Sequence, residues 1–282
     1  MLVLAQKLIS GEFVREFPTA SHWRDLAFTA DGQFVLGVDR AAKRVYVCKS
    51  DTLAMVREIG QARLKDPIRL SVTPDGHVLV SDLEVDCVWV FRLDGTLVRQ
   101  IGSRGNGNGQ LDNPFRAVCS SAGQVFVPEW SNHRISVFNL ADGSFVRHIG
   151  SKGSGNGRFN YPSCVALSSD EKELFVTDCN NRRVQVFSVD GRYLRQWGKH
   201  GAGLGEFILP VCVLVTTAGE VLVADRDNHR IQVFGLDSTF KRAWGSQGNG
   251  PGQFEQPLNM ALSVEGELFV TERCSLRVQV LR

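Results

Sequence analysis

The sequence lacks the features that mark a membrane span or a disulfide framework. No apolar run approaches the roughly 20 residues that a membrane helix needs. The seven cysteines are odd in number and include no C-x-x-C pair, and no RING-type spacing of cysteine and histidine occurs. We therefore expect reduced thiols in a cytoplasmic protein with no membrane partner.

An excess of charge of one sign is also missing. The 32 lysines and arginines face 30 acidic residues, which gives a formal net charge of +2. A protein that binds nucleic acid regardless of sequence carries a strong positive excess. That class is therefore disfavoured, and only a local basic patch could serve such a role.

Short strands separated by turns are what the chain does contain. Residues 162–198 read as four apolar or alternating segments, with Asp190-Gly191 as a hairpin turn before the last of them. These segments are 163–167, 173–177, 184–187 and 193–197. Four short antiparallel strands cannot bury both of their faces alone, so they require copies of themselves on either side.

Copies of this unit recur along the whole chain. Each begins at a proline slot, which Trp23 fills in the first and most degenerate copy. The slots lie at positions 23, 67, 114, 162, 210 and 257, and are 44 to 48 residues apart. A period of this size with four strands per unit predicts β-propeller blades. No unit carries an apolar stripe of period 3.6, which excludes a helical solenoid.

The last copy ends at Arg282 after its third strand. Residues 10–17, SGEFVREF, match the fourth-strand pattern of residues 190–197, DGRYLRQW. We therefore predict an all-β fold, a single six-bladed β-propeller of four-stranded antiparallel blades over residues 1–282. The N-terminal strand closes the last blade and removes the exposed strand edges. The predicted blades are 18–60, 61–102, 103–150, 151–198, 199–245, and 246–282 with 1–17.

Three units contain a string typical of NHL repeats. It reads DRDNHRIQVF at 225–234, DCNNRRVQVF at 178–187 and, more weakly, EWSNHRISVF at 129–138. On these motifs the chain resembles the NHL-repeat family, and in particular the propeller domain of TRIM-NHL proteins. The resemblance implies a six-bladed propeller that selects targets for an attached ubiquitin-ligase module. It also implies RNA binding in some members and, occasionally, catalysis.

Comparison of the blades with one another separates scaffold from recognition. An acid follows the second strand in every blade, and an arginine recurs five residues later in all but one. A position that repeats in this way serves the blade itself, and charge-assisted hydrogen bonds would hold the pair together. We interpret these pairs as structural braces. The clearest are Glu129 with Arg134, Asp178 with Arg183 and Asp225 with Arg230.

Residues that break the repeat are free to contact a ligand. They lie on the top face, defined here as the face that carries the inter-blade loops and the loops between second and third strands. Arginine and aromatic residues together are typical of protein interfaces and of RNA stacking sites. Trp130 has a second interpretation as a cap on the seam between blades. The candidate ligand-binding residues are Arg40, Lys43, Arg69, Arg116, Trp130, Arg226 and Arg273.

These observations predict a non-catalytic, monomeric propeller that binds a protein partner on its top face. The alternative is single-stranded or stem-loop RNA on the same face. A metal-dependent lyase or lactonase-like enzyme is a minor alternative. The residues two positions after each proline slot form a ring at the channel, here called the channel ring. It offers no histidine for zinc, and its members Asp25 and Asn259 are too few for the about six to eight oxygens that Ca²⁺ takes. No enzymatic activity, metal or cofactor is therefore expected.

Overall fold

The chain folds into six four-stranded antiparallel sheets arranged around a central channel. The computed structural model describes residues 9–18, 23–275 and 277–282. Residues 1–8, which the predicted boundaries assign to the last blade, lie outside these. Within the described residues, no helix is long and apolar enough to cross a membrane.

Each sheet is one blade, and its strands are hydrogen-bonded to their neighbours in chain order. Blade one contains β2–β5, and each later blade takes the next four strands. Blade six contains β22–β24 and β1. The strands are β1 (Phe13–Pro18), β2 (Trp23–Phe28), β3 (Phe34–Asp39), β4 (Arg44–Lys49), β5 (Met55–Ile59), β6 (Pro67–Val72), β7 (Val78–Asp82), β8 (Cys87–Phe91), β9 (Leu97–Ile101), β10 (Val118–Cys119), β11 (Gln124–Glu129), β12 (Arg134–Asn139), β13 (Phe145–Ile149), β14 (Pro162–Leu167), β15 (Glu173–Asp178), β16 (Arg183–Ser188), β17 (Tyr193–Trp197), β18 (Pro210–Val215), β19 (Glu220–Asp225), β20 (Arg230–Gly235), β21 (Phe240–Trp244), β22 (Pro257–Leu262), β23 (Leu268–Glu272) and β24 (Arg277–Leu281).

The N-terminal strand closes the ring, which confirms the predicted fold. β1 pairs antiparallel with β24, and Phe17 lies opposite Val278. Just before this strand, the backbone N–H groups of Gly11 and Glu12 donate to the carbonyl oxygen of Arg282 at 2.6 and 3.0 Å. The two ends of the described chain therefore hold blade six together, and β24 is covered by β1 instead of being left as an edge strand.

Large apolar side chains from the inter-blade loops plug the seams between blades. They share one repeat position and are fully buried; they are Leu111, Phe159, Phe207 and Phe254. The glycine that opens each loop makes room for them. Gly150 has φ +77°, and a Cβ at this residue would overlap the ring of Phe159. Glycine at this position is thus required both by the backbone conformation and by the close approach of the ring.

Blade one uses a different arrangement at the start of its inner strand, because Trp23 stands in the proline slot. Trp23 faces Asp39 across the β2–β3 pair. Gly37, on β3, has no unusual φ, but a Cβ there would overlap the indole ring of Trp23. Gly37 therefore provides the space that the tryptophan fills.

Gly37→Ala is expected to lower the free energy of unfolding by about 1–3 kcal/mol, because the added methyl group overpacks a filled site. Urea unfolding followed by circular dichroism measures this. The matched control is Gly155→Ala, since a Cβ there meets only Arg158 Cδ, at 3.9 Å, and we expect a change within about 0.5 kcal/mol. Equal stabilities of the two variants would contradict the tight packing of Trp23 on Gly37.

Candidate functional site

Buried acid–arginine pairs hold the loops of the top face. Arg183 Nε donates to Asp178 Oδ2 at 2.7 Å, and these side chains are only 7% and 0% exposed. The same guanidinium donates to the carbonyl oxygens of Gly155 and Arg158, at 2.9 and 2.8 Å, in the preceding inter-blade loop. The pair therefore ties the end of the second strand to the loop that enters the blade. Both charges of the pair are therefore satisfied by groups of the protein and are not available to a ligand.

The same pairing recurs around most of the ring. The Nε–carboxylate distances are 2.7 Å for Arg134 and Glu129, 3.3 Å for Arg230 and Asp225, and 2.9 Å for Arg277 and Glu272. Burial raises the pKa of Asp178, and the N–H of Asn160 and the side chains of Asn181 and Arg183 act in the opposite direction. The carboxylates thus depend on their donors to remain charged in a buried place.

Blade one departs from this pattern. Arg44 pairs with Glu58 at 2.7 Å, and these side chains are 35% and 20% exposed. Asp39, the loop acid of this blade, instead accepts a hydrogen bond from the N–H of Ala42 at 2.8 Å. The first blade therefore offers a more solvated ion pair with which the buried ones can be compared.

The centre of the top face opens into a cavity of about 240 Å³, which we call the upper vestibule. Two kinds of position form most of its wall: the residue after each proline slot, and the residue after the loop acid in four blades. Arg69, two residues after its proline slot, is the exception among the described lining residues. Phe115 and Trp130 supply aromatic surface, and Ser163 is the one hydroxyl of the wall. Five arginines complete it: Arg24, Arg40, Arg69, Arg226 and Arg273.

Only two of these five arginines are ion-paired within the described residues. Arg40 donates to Asp66 at 2.5 and 2.7 Å, and Arg226 donates to Asp227 at 2.8 and 3.1 Å. The remaining three, Arg24, Arg69 and Arg273, make no salt bridge with a described residue. None of the described residues that line the upper vestibule is acidic. The vestibule is therefore an uncompensated positive site.

The arginines repel one another, and Arg24 shows this most clearly. Burial lowers the pKa of Arg24, and the guanidinium groups of Arg40, Arg69 and Arg273 lower it further. Arg69 lies over the ring of Phe115, 5.6 Å from its centroid, and donates to the carbonyl oxygen of Arg24 at 3.2 Å. These contacts hold like charges together. An anion placed among them would relieve the repulsion.

Trp130 belongs to the wall of the upper vestibule, but its ring is engaged within the protein. It stacks on Phe115 with centroids 5.1 Å apart and an interplanar angle of 19°. Its centroid lies 4.9 Å from that of Tyr161, which enters blade four. These contacts favour the interpretation of Trp130 as a cap on the seam between blades three and four. They leave little of the indole as an open stacking surface.

A polar layer crosses the channel beneath the upper vestibule; we call it the channel layer. Arg116 lies in this layer and not at the mouth beside Arg69. Its Nη1 donates to Asn259 Oδ1 at 2.7 Å and to the carbonyl oxygen of Met260 at 3.0 Å. Asn259 Nδ2 in turn donates to Asp25 Oδ1. The long side chain of Arg116 extends across the channel to blade six, so its guanidinium lies below the mouth.

Cys164 and Cys212 complete the channel layer. Their Sγ atoms are 3.8 Å apart, and Cys212 Sγ lies 3.0 Å from Asn259 Oδ1. A hydrogen bond with Cys212 lowers the pKa of Cys164, whereas burial raises that of Cys212. All seven cysteines of the chain are free thiols.

The donor set of the channel layer does not suit a divalent cation. Asp25 already accepts hydrogen bonds from the N–H groups of Leu26 and Leu70, at 2.7 and 3.0 Å. The amide oxygen of Asn259 faces the guanidinium of Arg116, a fixed positive charge. Across the part of the chain that the structure describes, no three histidine, cysteine or acidic side chains are grouped so that they could hold a metal ion.

The structure brings together five of the seven predicted ligand-binding residues. Arg40, Arg69, Trp130, Arg226 and Arg273 line the upper vestibule. Lys43 lies instead in a separate cleft between blades one and two, beside Gln61 and Lys65. Sequence reasoning misses Arg24. The signal for it is the ring one residue after the proline slot, where Arg24 is the only charged residue: Arg24, Ile68, Phe115, Ser163, Val211 and Leu258.

Comparison with known proteins supports both the repeats and the fold. The family model described as NHL repeat matches residues 159–187 and 207–234. No curated protein matches the chain significantly by sequence. A gluconolactonase from Xanthomonas campestris, important in glucose secondary metabolic pathways, has a similar structure: TM-score 0.71, 15% identity, covering 94% of this chain and 87% of that one. The hydrazine synthase of Kuenenia stuttgartiensis is also similar: TM-score 0.66, 15% identity, covering 98% and 99%.

Both of these structures are of enzymes, and this corrects the functional prediction made from the sequence. The prediction of a non-catalytic, macromolecule-binding module was wrong to exclude catalysis. It rested in part on the absence of two kinds of metal site, whereas two solved structures of similar shape are enzymes. At 15% identity the likeness establishes the fold and no particular reaction. The chain is thus a six-bladed β-propeller with NHL repeats at residues 159–187 and 207–234.

Proposed function

We propose that the upper vestibule binds an anionic ligand, with Arg24, Arg69 and Arg273 as its direct partners. One observation carries this proposal: five guanidinium groups converge on a cavity of about 240 Å³, and only two of them are ion-paired within the described residues. Guanidinium groups bind phosphate and carboxylate through paired, charge-assisted hydrogen bonds. The ligand would supply the negative charge that the wall lacks.

The size and charge of the upper vestibule favour a compact ligand with two or more negative charges. Three arginines without an ion pair can each receive a phosphate or carboxylate oxygen. A protein partner or an RNA, the two partner classes expected from the sequence, would reach these arginines through a single acidic side chain or phosphate. We therefore propose the anionic group, and not a class of macromolecule, as what the upper vestibule recognises.

The same arrangement suits a reacting substrate as well as a ligand that is only bound. Fixed guanidinium groups stabilise negative charge that develops during a reaction, because they need no reorganisation at that moment. Arg40 and Arg226 are already held in place, by Asp66 and Asp227 respectively. Cations held in place in this way would both orient an anionic ligand and stabilise its charge.

We also propose that the protein acts in the cytoplasm. All seven cysteines are free, including the neighbouring pair Cys164 and Cys212 in the channel layer. Thiols persist in this state where glutathione and thioredoxin keep the compartment reducing. Localisation of a tagged protein by fluorescence microscopy tests this; accumulation in a secretory compartment would contradict it.

Titration calorimetry with inorganic pyrophosphate tests the ligand proposal. We expect one molecule to bind per chain, with an affinity that falls as salt rises, because Arg24 and Arg273 are partly open to solvent and are screened. Trimethyl phosphate, an uncharged phosphate ester, should not bind. Absence of pyrophosphate binding, or binding that salt does not weaken, would contradict the proposal.

A further inference from the structure

The opposite end of the channel opens into a second cavity with a different chemistry. This lower cavity has a volume of about 500 Å³ and is formed by the ends of the six inner strands. Its wall combines aliphatic side chains, Val72, Val118, Leu214 and Leu262 among them, with six serine and threonine residues. Arg116 also lines it, and so the channel layer separates the lower cavity from the upper vestibule.

The guanidinium of Arg116 is only partly satisfied by the protein. All of its hydrogen bonds to described residues pass through Nη1, toward Asn259, Met260 and Cys212. Its Nε is buried and has no acceptor among those residues. The hydroxyl of Ser71, which also lines the lower cavity, is buried and similarly without a partner. Unpaired polar groups of this kind are costly, the more so when they are charged.

No described acid makes a direct ion pair with Arg116. Asp25, in the channel layer, is linked to it through Asn259; burial acts to lower the pKa of Arg116, and the charge of Asp25 acts in the opposite direction. Glu171 is the acidic residue among those lining the cavity. Its carboxylate accepts hydrogen bonds from the backbone N–H and the hydroxyl of Ser121, at 2.6 to 3.0 Å. Arg116 therefore places a positive charge at the wall of a cavity that combines aliphatic and hydroxyl groups.

We propose that the lower cavity binds a small carboxylic acid with an apolar body. The carboxylate would face Arg116, and the body would lie against the aliphatic wall. A cavity of this size that joins apolar surface to a few convergent polar groups is typical of small-molecule sites. A highly charged ligand is disfavoured, because Arg116 is the one cation among the described lining residues. The site differs in place and in ligand from the upper vestibule.

Binding of octanoate, measured by titration calorimetry, tests this proposal. We expect one octanoate per chain, and an affinity for octanol that is at least about tenfold lower, because octanol cannot form the charged contact with Arg116. Val118→Trp fills the cavity and keeps Arg116, and it should weaken octanoate binding at least about tenfold. Arg116→Gln should do the same. Since Arg116 also links blades three and six, Val118→Trp is the variant that decides.

Two comparisons separate this proposal from that for the upper vestibule. Val118→Trp should leave pyrophosphate binding unchanged, and Arg24→Glu combined with Arg273→Glu should leave octanoate binding unchanged. Equal affinities for octanoate and octanol would overturn the role of Arg116. Undiminished octanoate binding by Val118→Trp would overturn the location. Failure of the wild-type protein to bind octanoate would overturn the site altogether.

Discussion

Arg24→Glu combined with Arg273→Glu is expected to abolish pyrophosphate binding, with a loss of affinity of at least about 100-fold. Both side chains line the upper vestibule without an ion pair to a described residue, so each can meet the ligand directly. Reversal of their charge replaces attraction by repulsion. The fold should not suffer, because the change relieves the like-charge cluster that lowers the pKa of Arg24.

The matched control makes the same change in net charge on the opposite face. Arg92 and Arg192 are exposed, lie in turns between third and fourth strands, and line neither vestibule nor lower cavity. Arg92→Glu combined with Arg192→Glu should retain pyrophosphate affinity to within about threefold, since exposed distant charges are screened. Calorimetry compares the two variants at equal salt. Equal loss in both would show that the total charge, and not the vestibule, determines binding.

Arg183→Ala is expected to lower the free energy of unfolding by about 3–5 kcal/mol, because it leaves the carboxylate of Asp178 buried without its counterion. The substitution also removes the hydrogen bonds to the carbonyl oxygens of Gly155 and Arg158. The inter-blade loop then loses its tie to the blade. Thermal and urea unfolding measure the effect, and pyrophosphate binding by the folded variant should persist.

Arg44→Ala is the control for this prediction. Arg44 has the equivalent repeat position in blade one, but its ion pair with Glu58 is far more exposed. We expect a loss below about 1 kcal/mol, as is usual for a solvated pair. If Arg183→Ala were as stable as Arg44→Ala, or lost ligand without losing stability, the division between braces and ligand-binding residues would fail.

Most of the fold could be predicted because the chain repeats one unit, so that its copies can be compared with one another. The spacing of the proline slots predicted six blades, and the likeness of residues 10–17 to residues 190–197 predicted the closing strand. The observed β1–β24 pair confirms both. Blade three departs from the plan: its inner strand is shortened to Val118–Cys119, and Arg116 forms a parallel bridge with Cys164 of blade four. A repeat pattern does not reveal such a local exchange of partners.

The candidate site was only partly predictable, for a physical reason. Period and position place a residue at a given radius and height in the ring, but they do not determine where a long side chain runs. Arg69 and Arg116 share a repeat position, yet Arg69 turns toward the mouth and Arg116 crosses the channel. Arg24 follows Trp23 in the most degenerate blade, where the weak repeat obscured its place in the ring.

The prediction from the sequence that the protein is not an enzyme had too narrow a basis. That prediction rested in part on the lack of zinc and calcium ligands in the channel ring, where Asp25 and Asn259 did not suffice. The structures of similar fold belong to enzymes of two different kinds. Shape is shared among such propellers, whereas the chemistry depends on the side chains at the mouth. In this chain, five of those side chains are arginines.

A crystal of the protein soaked in tungstate tests the central claim most directly, because the anion is compact, doubly charged and visible by its anomalous scattering. We predict a peak in the upper vestibule within hydrogen-bonding distance of the guanidinium groups of Arg24, Arg69 and Arg273. Soaked crystals of the Arg24→Glu, Arg273→Glu variant should lack that peak. Tungstate bound elsewhere on the surface but not in the upper vestibule would contradict the account.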